Sequence, residues 1–193
     1  MNGYPNYSVD KCLSIRNPSG EHTTRTIRIP VEWDEELNAE AEKNGVSVNS
    51  IFNELVEDYL LVKRFLKNYP HITTACSSLE ELLNEIDDDK IYEIGKKMGN
   101  RIPRNTLLMR GLLPDYDNAI WLIEKVYQTS DFLKLHKNET ETEHSLFMRH
   151  NMGEKWSYYL KGYFEGFFKN LIDIDVEPEI LDNSILINLP KKS

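Results

Sequence analysis

The amino-acid sequence predicts an α+β chain in two parts. A short strand and two helices come first, and an α/β domain of helices and two antiparallel β-hairpins follows. Three observations predict this. "TRTIRIPVEW" alternates polar and apolar residues, meets a proline and turns helical. "KNGVSVNS" reads as a helix stop followed at once by a helix start. Beyond residue 130, two alternating runs, each broken by a polar tip, flank one long aromatic-rich helix.

The strand obeys a period of two. Ile27 and Ile29 point to one face, and Thr24, Thr26 and Arg28 to the other. Pro30 cannot donate to a ladder, so pairing ends there. No second strand lies nearby in sequence, and a lone strand leaves its backbone groups unpaired. The expected partner is the same strand of a second copy. The helix after it places Trp33, Leu37 and Ala41 on one stripe, with Asp34, Glu35 and Glu36 near its positive end. Gly45 is placed to close it and Ser47 to cap the next helix. That second helix carries Val48, Ile51, Phe52, Leu55, Val56, Tyr59, Leu60 and Val62, too wide an apolar surface for so small a unit to bury alone.

The order strand, proline, helix, "NGVSVNS", helix resembles the ribbon-helix-helix DNA-binding domain of the Arc/MetJ type, over about residues 23–66. The resemblance implies a homodimer whose two strands form an antiparallel ribbon in the major groove of double-stranded DNA. It makes Thr24, Thr26 and Arg28 the readers, with Arg28 suited to a bidentate contact with guanine. It makes Ser47, Val48 and Asn49 a phosphate clamp at a helix N-terminus. Against this stands the charge. The chain has net charge −9, and residues 23–68 hold nine acids against six bases. Phosphate binding needs cations, so the alternative is an adaptor or antitoxin-like protein that uses this module only to dimerise.

Pro70 bounds the first module, which gives an N-terminal arm at 1–22, a first domain at 23–68 and a second at 69–193. "HITTAC" (71–76) reads as a short strand or an extended linker, and "SSLEELLNEIDDD" as a short capped helix. In "KIYEIGKKMGNRIPRNTLLMRG", Gly95 and Gly99 lie four apart, a spacing that lets another backbone approach closely. The same stretch carries Lys90, Lys96, Lys97, Arg101, Arg104 and Arg110 against Glu93 alone, which reads as a solvated face or as a surface for an anionic partner. "DYDNAIWLIEKVYQTS" is a further helix with Ile120, Ile123, Val126 and Tyr127 inward. A hairpin follows, with strands expected at 132–136 and 143–149. Asn151 and Glu154 suggest a capping box opening the long helix. That helix carries Trp156, Tyr159, Leu160, Tyr163, Phe164, Phe167, Phe168 and Leu171, with Gly162 and Gly166 again four apart. A last hairpin turns at Asp182-Asn183-Ser184, with Ile185, Ile187 and Leu189 on one face.

This order, with "YEIGKKMG" and "GYFEGFF", resembles the vinyl-reductase-type ligand-binding domain over about 90–189. Such α/β modules occur in small-molecule sensors, with relatives in vesicle-trafficking proteins. The resemblance implies a dimerising domain with an apolar cavity, for which Trp156, Tyr159 and Tyr163 are the candidate ligand contacts, or one that uses the same surface for protein contacts. Many domains of this family carry cysteines in the last hairpin; this chain has none there.

The remaining expectations are negative. His136, His144 and His150 lie on or beside one hairpin, and opposed strands would bring His136 to His144, but the spacing matches no compact metal motif. No metal or cofactor is expected. No catalytic motif such as GxSxG, HExxH or a P-loop occurs, so an enzyme is not expected. Two cysteines without a CxxC fit a reducing cytoplasm. No run of about 18 apolar residues offers a membrane span.

Overall fold

A computed structural model of the chain describes residues 20–67, 72–127 and 133–190. The chain divides into two compact units, with the boundary between His71 and Ile72. Residues 1–19, Pro70 and the start of the predicted strand at Phe132 lie outside the described residues.

In the first unit, residues 21–30 form neither helix nor strand and join no ladder among the described residues. Helix α1 (Val31–Asn44) follows Pro30, whose fixed φ suits the residue before a first turn. It ends as the sequence predicts. Gly45 adopts the left-handed conformation at φ 67°, and the Val46 N–H donates to the Ala41 carbonyl at 3.0 Å. That bond, with Gly45 N–H to Glu42, forms a Schellman closure. Two residues later Ser47 caps helix α2 (Val48–Asp58), its hydroxyl accepting from the Ser50 N–H at 3.1 Å. Helix α2 continues through a wide π turn (Tyr59–Lys63) into a last turn at Arg64–Leu66.

This unit buries little. Ala41, Leu61 and Phe65 are its buried apolar side chains among the described residues. Of the predicted α1 stripe only Ala41 is buried; Leu37 is half-buried and Trp33 is 64% exposed. Leu55, Val56 and Tyr59 on α2 are also exposed. The apolar positions have helical spacing, and most of them stay exposed or half-buried among the described residues.

The second unit is built around two helices. After a linker at 72–75 and helix α3 (Cys76–Asn84) comes helix α4 (Asp88–Leu108), which runs on through Pro103. Helix α5 (Tyr116–Trp121) is capped by Asp115, which accepts from the Asn118 N–H at 2.7 Å, and it continues as a π turn (Leu122–Tyr127). Strands β1 (Leu133–Glu139) and β2 (Glu143–His150) form the first predicted hairpin. Helix α6 (Glu154–Ile172) and the hairpin of β3 (Glu179–Ile180) and β4 (Ser184–Pro190) complete the unit. All pairings are antiparallel, in the order β1-β2-β4-β3.

The two glycine pairs explain how α4 and α6 meet. A Cβ on Gly95 or Gly99 would overlap the backbone carbonyls of Tyr159 and Tyr163, and a Cβ on Gly162 that of Tyr92. One on Gly166 would lie 2.5 Å from the Lys96 carbonyl oxygen. Each pair therefore receives the other helix's backbone. Because Gly95 meets residues 159–163 and Gly99 meets 163–167, the two helices run parallel. Their solvent side is tied by Tyr92, which donates to Glu165, and by Lys96, 3.4 Å from the same carboxylate. The opposite flank of α6 packs on the sheet, where Leu146, Met148, Ile185, Ile187 and Leu189 are wholly buried. Phe164, Phe167 and Phe168 fill the space between and form the core.

Two local expectations are corrected. The long helix does not start on a capping box at Asn151. Its N-cap is Gly153, at φ 74°, with no side-chain cap bond. Met152 is buried beneath the turn, which holds residues 151–153 out of helical geometry until Glu154. The histidines are also not opposed: in the register His136 faces Phe147, and His144 faces Glu139.

Candidate ligand cavity and nucleic-acid interface

The second unit contains an apolar cavity of about 260 Å³. Helix α6 supplies most of its wall, with Trp156, Tyr159, Leu160, Tyr163 and Phe164. Ile102 of α4, Val126 and Tyr127 of the π turn, and Leu133 at the start of β1 line its other sides, and the cavity is open to solvent. The three aromatic residues named from the sequence thus meet at one site. Their rings form a continuous layer. Trp156 and Tyr159 stack at 4.4 Å between centroids and 14° between planes, and Tyr159 and Tyr163 stack at 5.9 Å and 22°.

The polar chemistry of this wall is sparse. The Tyr127 and Tyr163 hydroxyls lie 2.6 Å apart and share a hydrogen bond. Burial pushes the Tyr127 and Tyr163 phenols well above the ordinary tyrosine range, and burial also raises Tyr159. All three are neutral at physiological pH, so the wall is uncharged. The arrangement suits a neutral, mainly apolar molecule with one group able to join the hydroxyl pair. Tyr127, Val126, Leu160 and Phe164 stood in the sequence only as inward-facing helix residues. Ile102 and Leu133 had no signal of their own, because the cavity forms only where four elements converge.

In the first unit, Thr24, Thr26 and Arg28 are exposed on the segment before Pro30. Ser47 is engaged as the cap of α2; Val48 is half-buried and Asn49 exposed at its first turn. The first N–H groups of a helix have no intrahelical acceptor, so this end can receive an anion.

The histidines are accounted for locally. His144 Nδ1 lies 2.9 Å from the Tyr116 hydroxyl, and its Nε2 lies 3.1 Å from a Glu139 oxygen. His150 is buried against Ser157, 2.9 Å from Nε2 to Oγ, and burial holds its pKa down at about 4. Among the described residues no three His, Cys, Asp or Glu side chains are grouped to hold a metal ion. Nor, among them, is any helix long and apolar enough to cross a membrane.

No family model, curated protein or solved structure matches the chain.

Proposed function

We propose that the chain is a homodimeric DNA-binding transcriptional regulator. Two copies pair their 23–29 segments into a ribbon that enters the major groove. The second unit senses a small apolar molecule or a protein partner. The observation that carries the reading is the first unit's apolar surface. Trp33, Leu55, Val56 and Tyr59 are left exposed on helices joined by a tight Gly45–Ser47 turn, directly after a segment that joins no ladder among the described residues. A second copy would cover the helices and complete the ladder together. The cavity supports the sensing role. A ligand there changes DNA binding only if it binds two arrangements of the dimer with different affinity.

The experiment is binding of the purified protein to fluorescent DNA from around its own gene, against random DNA. Preferential binding that is lost in Arg28→Glu supports the reading. Equal binding of the two DNAs, unchanged in Arg28→Glu, would refute it. The acidic balance of the first unit favours the adaptor reading, in which Arg28→Glu leaves partner binding intact.

A further inference from the structure

The DNA reading has an electrostatic deficit. A protein binds duplex DNA largely by neutralising phosphates and releasing their counterions. The segment that resembles the reader module holds only six bases against nine acids. The charge must come from elsewhere if the reading holds, and helix α4 offers it.

Helix α4 turns its apolar side inward, with Ile91, Gly95, Gly99, Pro103 and Leu107 buried. At 100° per residue, Lys90, Lys97, Arg101 and Arg104 fall within an arc of about 60° on the opposite side. All four are exposed. They span 15 residues, roughly 21 Å of helix between the first and the last. Lys96, on the flank, is engaged by Tyr92 and Glu165, and Lys155 by Asp88. Among the described residues, no carboxylate lies within ion-pair distance of the four. Past its first turn α4 carries a single acid, Glu93. Exposed Asn100 and Asn105 flank the stripe and add hydrogen-bond donors. Glu93, three residues after Lys90 and four before Lys97, borders the same face, so a net-acidic protein presents one straight row of four cations against a single acid.

We propose that this outer face of α4 binds the phosphate backbone of duplex DNA, without sequence preference, and supplies the nonspecific affinity that the ribbon module lacks. The proposal rests on the DNA-binding reading above. A lipid surface fits less well. Interfacial helices bury a continuous apolar face in the membrane, whereas the apolar side of α4 is already occupied by α6. On the outer side only Ile94 and Leu108 interrupt the charges.

The test uses the full chain and three proteins: wild type, Arg28→Glu, and the fourfold variant Lys90→Gln, Lys97→Gln, Arg101→Gln and Arg104→Gln. Glutamine keeps helix propensity at exposed sites, and circular dichroism confirms that the variant folds. Binding to random duplex DNA is measured across a salt series. Up to four lost phosphate contacts should flatten the slope of log affinity against log salt by about 2–4. Arg28→Glu should keep most of the salt-dependent nonspecific binding. An unchanged slope in the fourfold variant, beside normal preference for the gene's own DNA, overturns this proposal and leaves the ribbon reading standing. Absence of any DNA binding by wild type at low salt overturns both. Loss of binding to phosphatidylserine vesicles in the fourfold variant, with its DNA slope unchanged, overturns it in favour of a lipid surface.

Discussion

Replacing Gly99 by alanine tests the central packing of the second unit. In an exposed helix this change is stabilising by up to about 1 kcal/mol, because alanine loses less backbone entropy. Here the added methyl group would overlap the Tyr163 carbonyl oxygen and lie 2.8 Å from its carbon and 3.0 Å from the Phe167 nitrogen. All three are backbone atoms, so no side chain can swing aside. Helices α4 and α6 would have to separate by roughly 1 Å, and gaps of that size forfeit a quarter to a half of each dispersion contact they open. Overpacking of this kind costs about 1–3 kcal/mol, with backbone clashes at the upper end. Net of the propensity gain, the expected loss is about 2 kcal/mol, or a fall of roughly 4–8 °C in the melting midpoint. Gly45→Ala is the contrast. It meets nothing within 4 Å, and its only cost is alanine at φ 67°, about 1–2 kcal/mol. Thermal unfolding by near-ultraviolet circular dichroism reads both. A Gly99→Ala variant as stable as wild type, or more so, would refute the close parallel packing.

Other predictions follow from the same geometry. Ser47→Ala should cost about 1 kcal/mol by removing the cap of α2, read by urea unfolding; no change would show that the Ser47–Ser50 bond contributes nothing. Val56→Glu should convert the proposed dimer to monomer in sedimentation equilibrium, and a variant that stays dimeric would place the interface elsewhere. His150 is neutral when folded and has its pKa lowered to about 4 from 6.5. The unfolded chain therefore takes up the proton first, and this contribution to stability is complete above pH 6.5 and is lost as pH falls toward 4. It amounts to roughly 2–3 kcal/mol. Urea midpoints of wild type should fall more steeply than those of His150→Gln between pH 6.5 and 4.5; parallel curves would remove His150 as the cause. A spectrophotometric titration should leave the Tyr127 and Tyr163 phenols unionised past pH 10, and their ionisation near pH 10 in folded protein would mean that the cavity wall is wet.

How much of this was legible in the sequence depends on how local the determinant is. The Gly45–Ser47 turn was readable because one residue supplies the left-handed conformation and the other the cap. The two hairpins were readable from their alternation, down to Ile185, Ile187 and Leu189 on one buried face. The glycine pairs signalled close backbone approach but not the partner; that the two pairs bring α4 against α6 depends on a parallel crossover running from Met109 to Gly153. The start of α6 was misread because Asn151 and Glu154 have capping-box spacing, while burial of Met152 and the positive φ of Gly153 decide the geometry. Opposed strands suggest His136 beside His144, but register is not local information, and the observed ladder pairs His136 with Phe147 and His144 with Glu139. The cavity was half legible. Its aromatic wall lies on one helix, but Ile102 and Leu133 reach it only through tertiary structure.

The measurement that bears most directly on the account is hydrogen–deuterium exchange of the peptide spanning residues 23–29 in the full chain, followed as protein concentration is raised. An intermolecular ribbon holds these amides in a ladder, so their exchange should slow as copies pair, in step with the dimer fraction from sedimentation. Exchange at the unprotected rate at every concentration, with the chain dimeric throughout, would contradict the ribbon and leave the first unit without its proposed reader.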